Sequence, residues 1–366
     1  MASPALARPR TLDLLEAGQS IWLDTISRAM LTSGQLAAMV REGWITGVTS
    51  NPSIFEKAIS GSDDYASALA DAALRTRDPY EAFVAIAGDD IRDACDVLRP
   101  IYDCADGADG FVSLEVPPAI AFDTAATVAE GERLFAAIGR PNLMIKVPGT
   151  PEGFEAVEQL IARGVNVNIT LLFGLGQYEA TAGAYLRGLE RRLALGLPVD
   201  RVASVASFFV SRLDTAVDPL LPEGSPLRGR AAVANARAAY QRFEATFSGP
   251  RWQALSDAGA RVQRPLWAST GTKNPAYSDV LYVDELVAPH TVNTLPEGTL
   301  RAVLDHGSTA PTIAAGLADS LCDLEGLRAA GIDLDAVTAR LLTDGLAAFA
   351  TDFAKLLARI AAAIGA

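Results

Sequence analysis

The sequence is poor in the residues that build metal centres and disulfide frameworks. Among its 366 residues it has 2 histidines, His290 and His306, and 3 cysteines, Cys95, Cys104 and Cys322. An odd, sparse set of cysteines with no CxxC pair is not a disulfide framework, and so few ligands argue against a structural zinc site. Such cysteine usage is typical of the reducing cytoplasm, where we expect the protein to reside, and we expect no metal site.

Other absences narrow the functional class. The net charge is −13 and no basic patch occurs, which argues against nucleic acid as a partner. No run reaches the ~18 apolar residues of a membrane span, so we expect no membrane partner. A GxSxG elbow and a GxxxxGK[ST] phosphate loop are missing, and GLG at 174–176 lacks the third glycine of a dinucleotide fingerprint.

The composition nevertheless predicts a globular protein with a large core, since 50% of the residues are apolar and 20% are charged. No linker or low-complexity tract divides the chain. We therefore expect one domain over residues 1–366, with a helical insertion at about 55–110 and a C-terminal helix at about 335–363. Apolar residues at steps of three and four from Leu342 to Ile360 give that last helix one apolar face.

Eight short apolar runs alternate with helical stretches along the chain. Several lack the period-two alternation of half-exposed strands, as expected of parallel strands buried on both faces. The predicted strands are 21–24, 47–51, 111–116, 143–147, 165–170, 202–209, 265–269 and 290–295. Eight strands alternating with helices predict an α/β fold, the (β/α)8 TIM barrel with additional helices. An open doubly wound sheet is the alternative.

The helical stretches lie between these strands. TPE at 150–152 is typical of an N-cap, a proline at the first helical position and an acid in the first turn. That signal opens a helix ending near Ala162. A longer, alanine- and arginine-rich stretch at 230–258 is predicted as helix throughout.

Polar and ionisable residues lie at or near the ends of the predicted strands. They are Asp24, Asn51, Glu115, Lys146, Asn168, Thr170 and Ser207. Barrel enzymes carry their catalytic groups at the carboxyl ends of the strands. Buried charges are costly unless paired, so one shared site is more plausible for the lysine and two carboxylates than three separate places. A lysine beside two carboxylates suits imine chemistry, in which the amine attacks a carbonyl and the carboxylates move protons.

Lysine is scarce, since 27 of the 31 basic residues are arginine. Apolar neighbours around Lys146 favour a desolvated, nucleophilic amine, although a strand-end lysine can also extend its amine to water. Lys57 and Lys355 fit solvated helix faces. Lys273 follows the seventh strand in a polar loop, as either a phosphate ligand or an exposed residue.

Structural explanations remain open for the other candidates. Asp24 fits an N-cap of the next helix, and Asn51 before a proline fits a turn. The polar side chains of the fifth and sixth strands fit partners of neighbouring backbone. Arg212 fits either an ion pair with Asp214 at a helix start or an anion-binding position at the rim.

The motifs around these residues resemble those of transaldolases of the longer bacterial type, within the class I Schiff-base aldolases. The matching blocks are IWLDT at 21–25, GVTSNPSIF at 47–55, MIKVPGT at 144–150, NVNITLLF at 166–173 and ASFFVSRLD at 206–214. Each block is weak alone, but together they are specific. The resemblance extends over nearly the whole chain, from residue 21 to the region of Asn293.

The resemblance implies a TIM barrel and a metal-free Schiff-base mechanism without a cofactor. Lys146 matches the imine-forming lysine, and Asp24 matches the acid/base that deprotonates the donor hydroxyl. Glu115 matches a carboxylate that works through a water, which Thr170 helps to hold. The positions that match substrate-binding groups are Asn51, Asn168, Ser207, Phe209 and Arg212.

The reaction implied is transfer of a dihydroxyacetone unit from sedoheptulose 7-phosphate to glyceraldehyde 3-phosphate, in the non-oxidative pentose phosphate pathway. The resemblance has a gap after the seventh strand, where shorter relatives carry a second phosphate-binding arginine near a serine. Ser269 fits the serine, but no arginine follows, so Lys273 or the nearby backbone is the expected substitute.

Two alternatives keep the same barrel. A fructose-6-phosphate aldolase would use the same lysine, but those enzymes resemble the pattern with glutamine in place of Glu115 and tyrosine in place of Phe209. A non-catalytic sugar-phosphate binder is expected to lack Lys146, Asp24 or Glu115, and this sequence has all three. The sequence leaves the oligomeric state open.

Overall fold

The computed structural model describes residues 8–366, and its centre is a closed parallel barrel. Each strand pairs with the next in the chain, and β1 pairs with β8, which closes the sheet. The eight strands are β1 (Gln19–Leu23), β2 (Gly47–Val48), β3 (Val112–Glu115), β4 (Leu143–Pro148), β5 (Val167–Leu172), β6 (Ser204–Phe209), β7 (Arg264–Ala268) and β8 (Thr291–Leu295). Closure confirms the predicted TIM barrel and rules out the open sheet.

The barrel is surrounded by helices, as a parallel sheet with both faces buried requires. The first eight are α1 (Arg10–Glu16), α2 (Arg28–Thr32), α3 (Gln35–Arg41), α4 (Pro52–Ser60), α5 (Ala66–Arg75), α6 (Pro79–Cys104), α7 (Thr124–Ile138) and α8 (Pro151–Ala162). The others are α9 (Leu175–Ala194), α10 (Ser211–Val217), α11 (Ala231–Thr246), α12 (Pro250–Asp257), α13 (Leu281–Asp284), α14 (Glu297–His306), α15 (Ile313–Ala329) and α16 (Leu334–Ile364). Within residues 8–366, no helix combines the length and apolarity that crossing a bilayer requires.

Local sequence signals explain several helix ends. Thr150 caps α8 as predicted, because its hydroxyl accepts from the backbone N–H of Gly153 at 2.9 Å. The expectation of one helix over 230–258 was wrong. The chain leaves α11 at Thr246 and begins α12 at Pro250, since a proline after Gly249 fits the first turn of a new helix better than a helix interior.

Alternate residues of the strands point into the barrel and pack there in layers. Trp22, Met144, Val205, Leu266 and Val292, from five different strands, belong to one buried apolar cluster. Because side chains alternate along a strand, Lys146 shares the inner face of β4 with Met144 but lies one layer nearer the carboxyl end. The pleat therefore aims the lysine into the mouth of the barrel.

A buried polar network closes the amino end of the barrel. The indole N–H of Trp22 donates to Asp109 at 2.9 Å, and the Ser20 hydroxyl donates to the same carboxylate. Arg264 lies 3.9 Å from Asp109 and donates to the carbonyl of Thr291 at 2.7 Å. Pairing of this kind keeps a buried arginine and aspartate from being isolated charges.

Helix α16 crosses the opposite, carboxyl end of the barrel. Its Leu346 and Phe349 belong to the same buried cluster as Phe173 and Phe209. It also contacts α4, α5 and α6, the helices of the predicted insertion, where the rings of Phe83 and Phe353 lie 5.4 Å apart edge to face. The insertion and the C-terminal helix thus pack against each other and cover one side of the mouth.

We expect Gly47→Ala to destabilise the barrel, because a Cβ atom there would lie 2.6 Å from atoms of the Trp22 ring. The free energy of unfolding should fall by about 1–3 kcal/mol, the usual cost of overpacking a rigid core. Urea unfolding measures this. Gly176→Ala is the matched control, since nothing lies within 4 Å of a Cβ at that position. Equal stability of Gly47→Ala and the wild type would contradict this packing.

Candidate active site

The centre of the candidate site is a buried pair between neighbouring strands. Glu115 on β3 and Lys146 on β4 are register partners, and the Lys146 Nζ atom lies 3.5 Å from Glu115 Oε2. The ammonium also donates to the carbonyl of Ser50 at 3.0 Å. Lys146 is only 4% exposed, so the alternative in which its amine extends to water is wrong.

Asp24 lies at the end of β1, beside this pair. Its Oδ1 atom accepts from the hydroxyl of Thr49 at 2.7 Å, and that hydroxyl lies 2.7 Å from the hydroxyl of Thr294. Asp24 does not cap the next helix, because α2 begins at Arg28 and Ser27 accepts from its backbone. The Asp24 carboxylate is therefore not used as a helix cap. The hydroxyl of Thr49, just after β2, orients it at the mouth of the barrel.

Burial raises the pKa of both carboxyl groups. Desolvation raises the pKa of Glu115 to about 7, with the cation of Lys146 acting in the opposite direction. Desolvation also raises the pKa of Asp24, against the effects of Lys146 and of the Thr49 hydrogen bond. A carboxyl group that titrates near neutrality can both accept and donate a proton, which is what general acid–base catalysis needs.

Asn168 and Ser207 continue the site across β5 and β6. The amide of Asn168 donates to the Ser113 hydroxyl at 3.0 Å and accepts from the Ser207 hydroxyl at 2.7 Å. The Ser50 hydroxyl donates to the carbonyl of Ser113 at 2.7 Å. Asn168 and Ser207 thus bind side chains rather than neighbouring backbone, and their hydrogen bonds connect the inner faces of β3, β5 and β6.

Thr170 and Asn51 flank this network. Thr170 is fully buried, two residues beyond Asn168 on the same face of β5, and its hydroxyl has no hydrogen-bond partner among the described residues. Asn51 caps α4 through its Oδ1 atom, which accepts from the backbone N–H of Ile54 at 3.0 Å. Asn51 thus has a structural role as a helix cap in extended backbone rather than as the expected turn residue, and its amide nitrogen remains available to a ligand.

Arg212 lies at the rim, above the aromatic ring of Phe209. Its guanidinium carbon is 5.1 Å from the ring centroid. The expected alternative, an ion pair with Asp214, is wrong. The Asp214 carboxylate instead accepts from the backbone N–H of Ala232 and the hydroxyl of Tyr282, each at 2.8 Å. Within residues 8–366, Arg212 forms no salt bridge and is free to bind an anion.

The last two predicted residues lie in and near the loop after β7. Ser269 has a positive φ of 55°, and its hydroxyl lies 3.0 Å from that of Ser211 at the start of α10. Lys273 is exposed and makes no salt bridge or hydrogen bond with the described residues. Lys57 and Lys355 are exposed, as expected. The structure therefore brings Ser269 to the rim of the barrel, whereas Lys273 contacts neither Ser269 nor the other described residues of the rim through a hydrogen bond or salt bridge.

Sequence reasoning missed the supporting residues. Thr49, Thr294 and Ser113 are ordinary strand residues in the sequence, and only the register shows that they orient the site. Gly345 on α16 is a further omission. A Cβ atom there would lie 3.0 Å from Leu171 and 3.4 Å from a guanidinium nitrogen of Arg212, so glycine lets the helix approach the rim. The steps of three and four in α16 predicted its apolar face but not its neighbours.

No group of three or more histidine, cysteine, aspartate or glutamate side chains is arranged to hold a metal ion in the part of the chain that the structure describes. The arrangement at the mouth instead combines a buried amine, two carboxyl groups with raised pKa values and an unpaired arginine at the rim. This set can form an imine with a carbonyl substrate, move protons around it and bind an anionic group.

The chain is similar to known proteins over nearly its whole length. Residues 21–360 match the family described as transaldolase/fructose-6-phosphate aldolase. The chain is 50% identical over 353 residues to a transaldolase of Acidothermus cellulolyticus, with 95% of each chain covered. It is 48% identical over 355 residues to a transaldolase of Thiobacillus denitrificans, with 96% of this chain and 99% of that protein covered. With this extent of similarity, the chain belongs to the transaldolase/fructose-6-phosphate aldolase family.

Proposed function

We propose that this protein is a transaldolase that acts through a Schiff base on Lys146. It transfers a dihydroxyacetone unit from sedoheptulose 7-phosphate to glyceraldehyde 3-phosphate, and the products are erythrose 4-phosphate and fructose 6-phosphate. The pathway is the non-oxidative pentose phosphate pathway, and the compartment is the cytoplasm. The observation that carries the proposal is the buried Lys146 amine, 3.5 Å from a carboxyl group whose pKa is about 7.

The first half of the reaction cleaves the donor ketose. The Lys146 amine attacks the ketose carbonyl, and the carbinolamine loses water to form an iminium ion. Asp24 takes the proton of the hydroxyl on the carbon two positions from the iminium carbon. The bond between this hydroxyl-bearing carbon and the carbon next to the iminium breaks, and an aldose leaves. The electron pair of that bond moves into the iminium and leaves an enamine on Lys146.

The second half builds the product. The enamine attacks the aldehyde of the acceptor, Asp24 returns its proton to the new hydroxyl, and water releases the ketose from Lys146. Glu115 is the proton carrier for addition and loss of water, because its carboxyl lies beside the amine. The partnerless hydroxyl of Thr170, on the strand after Lys146, supports its role in holding the water that Glu115 uses.

The remaining residues bind substrate. Asn51, Asn168 and Ser207 present amide and hydroxyl groups to the dihydroxyacetone part. Phe209 supports Arg212, which binds the phosphate from the rim. We assign Ser269 at the rim, and Lys273 exposed in the following loop, as the groups that replace a second phosphate-binding arginine. Glutamate rather than glutamine at position 115 favours transfer over simple aldol cleavage, the second candidate function.

Borohydride trapping tests the imine directly. After incubation with fructose 6-phosphate without an acceptor, reduction should add a dihydroxyacetone-derived mass to the peptide that contains Lys146. Lys146→Ala should lose the adduct and lower transfer activity by more than about 10⁴-fold, since the covalent route is gone. Lys57→Ala, which removes an exposed lysine, is the control and should retain both. An adduct on another lysine would contradict the assignment.

The pKa of Glu115 should change in opposite directions when its two charged neighbours are removed. A carbon-13 NMR titration should place the pKa of Glu115 near 7, with the resonance assigned by its loss in Glu115→Gln. Lys146→Met should raise this pKa, because the Lys146 cation lowers it, and Asp24→Asn should lower it, because the Asp24 charge raises it. Shifts of the same sign in both variants would refute the assigned electrostatics.

The same pKa affects stability. The folded-state value of about 7 lies above the ordinary 4.5 of glutamate, so the folded protein binds the proton more tightly than the unfolded chain. The free energy of unfolding of the wild type should therefore fall, relative to Glu115→Gln, as the pH rises between those two values.

Phosphate binding is tested by comparing glyceraldehyde 3-phosphate with unphosphorylated glyceraldehyde as acceptor. Arg212→Ala should lower kcat/KM for the phosphorylated acceptor by about 10- to 100-fold, as expected for a lost charge-assisted hydrogen bond. The unphosphorylated acceptor should be nearly unaffected. Lys273→Ala should show the same selectivity with a loss of about two- to fivefold, because its charge is exposed. Equal losses for both acceptors would exclude a phosphate-binding role.

A further inference from the structure

A second cavity lies at the amino end of the barrel, opposite the mouth that contains Lys146. Its volume is about 330 Å³. Its floor is made by Phe111, Met144 and Val205, which point into the barrel. Phe111 directly precedes β3, and Met144 and Val205 are the second residues of β4 and β6. Trp252 of α12 forms a wall. We call this space the floor cavity.

The lining of the floor cavity combines apolar side chains with basic ones. Its ionisable lining residues are Arg261, Arg264 and His290, and no carboxylate lines it. The carboxylates that pair with the arginines lie outside the lining, at Asp106 and Asp109.

Both arginines retain hydrogen-bonding capacity. Arg261 donates through Nε to the carbonyl of Asp200 at 3.1 Å and through Nη2 to Asp106, and Nη1 makes no hydrogen bond among the described residues. Arg264 uses Nη1 and Nη2, and its Nε makes none within residues 8–366. A planar guanidinium with free N–H groups is suited to a carboxylate.

We propose that the floor cavity binds a small monocarboxylate with an aromatic or branched apolar body. The body lies on Phe111, Met144 and Trp252, and the carboxylate faces Arg261 and Arg264. The volume falls within the range of about 300–1,000 Å³ that small-molecule sites occupy, and an apolar lining with few polar groups is typical of them. The assignment does not depend on the chemistry at the mouth.

The floor cavity is separate from the reaction centre but shares a strand with it. Met144 lies two residues before Lys146 on the same inner face of β4. The Trp22 ring lies 6.3 Å from that of Phe111 and donates to Asp109, so a packed layer lies between the two ends. A ligand on the floor would therefore contact the base of the strand that carries the lysine, without reaching the amine.

Isothermal titration calorimetry with phenylacetate as the probe tests the proposal, and 2-phenylethanol is the neutral comparison. We expect saturable binding of phenylacetate to the full-length protein. Arg261→Gln should lower the affinity for phenylacetate at least about tenfold, the equivalent of one charge-assisted hydrogen bond. The affinity for 2-phenylethanol should stay the same. Ala260→Phe, which fills the cavity from its lining, should weaken both ligands.

Arg251→Gln is the matched control. It removes an exposed arginine from α12, where the side chain pairs with Glu190 at 2.6 Å outside the floor cavity. Circular dichroism verifies that each variant is folded. Three results would overturn the proposal: no saturable binding to the wild type, an equal loss in Arg251→Gln, or displacement of phenylacetate by fructose 6-phosphate, which would place the probe at the mouth.

Discussion

Burial of the Lys146 amine is the constraint on which the rest of the mouth depends. An isolated ammonium is expensive to remove from water, and breaking a buried pair by removing one partner costs several kcal/mol. Glu115 lies 3.5 Å away and the Ser50 carbonyl 3.0 Å away, so the charge of the lysine is compensated from two neighbouring strands. The carboxyl groups need the lysine in turn, since desolvation raises the pKa of both Glu115 and Asp24 and the cation opposes it.

The parallel register of the barrel is what supplies these partners. Neighbouring strands place Glu115, Lys146 and Asn168 at one level, and every second residue of each strand points inward. A one-residue slip would turn the lysine outward towards the helices. The hydroxyl groups of Thr49, just after β2, Ser113 on β3 and Ser207 on β6 then fix the rotamer of Asp24 and the amide orientation of Asn168. Hydrogen bonds from neighbouring elements of the barrel therefore orient Asp24 and Asn168.

Much of this arrangement follows from the sequence, for a physical reason. Apolar runs predict parallel strands, strands predict a barrel, and a barrel brings polar strand ends together, so Lys146, Glu115 and Asp24 were predicted without coordinates. The break at Gly249 was missed because alanine-rich helix signals on both sides outweighed it. The hydrogen bonds of Thr49 and Ser113 depend on register, and the position of α16 over the mouth depends on long-range packing. None of these is encoded in local periodicity. The roles assigned to the site residues stay predictions.

Helix α16 links the architecture to the choice between transfer and release. In the proposed mechanism, the enamine on Lys146 has two fates, attack on an aldehyde or protonation followed by hydrolysis. Leu346 and Phe349 of α16 pack with Phe209 beside the mouth, and Gly345 lets the helix backbone approach Arg212. In the proposed mechanism, this apolar wall limits water near the enamine, and Arg212 at its edge attracts a phosphorylated acceptor. Under that proposal, water is excluded and the acceptor attracted at the same side of the mouth, which favours a transferase over an enzyme that releases free dihydroxyacetone.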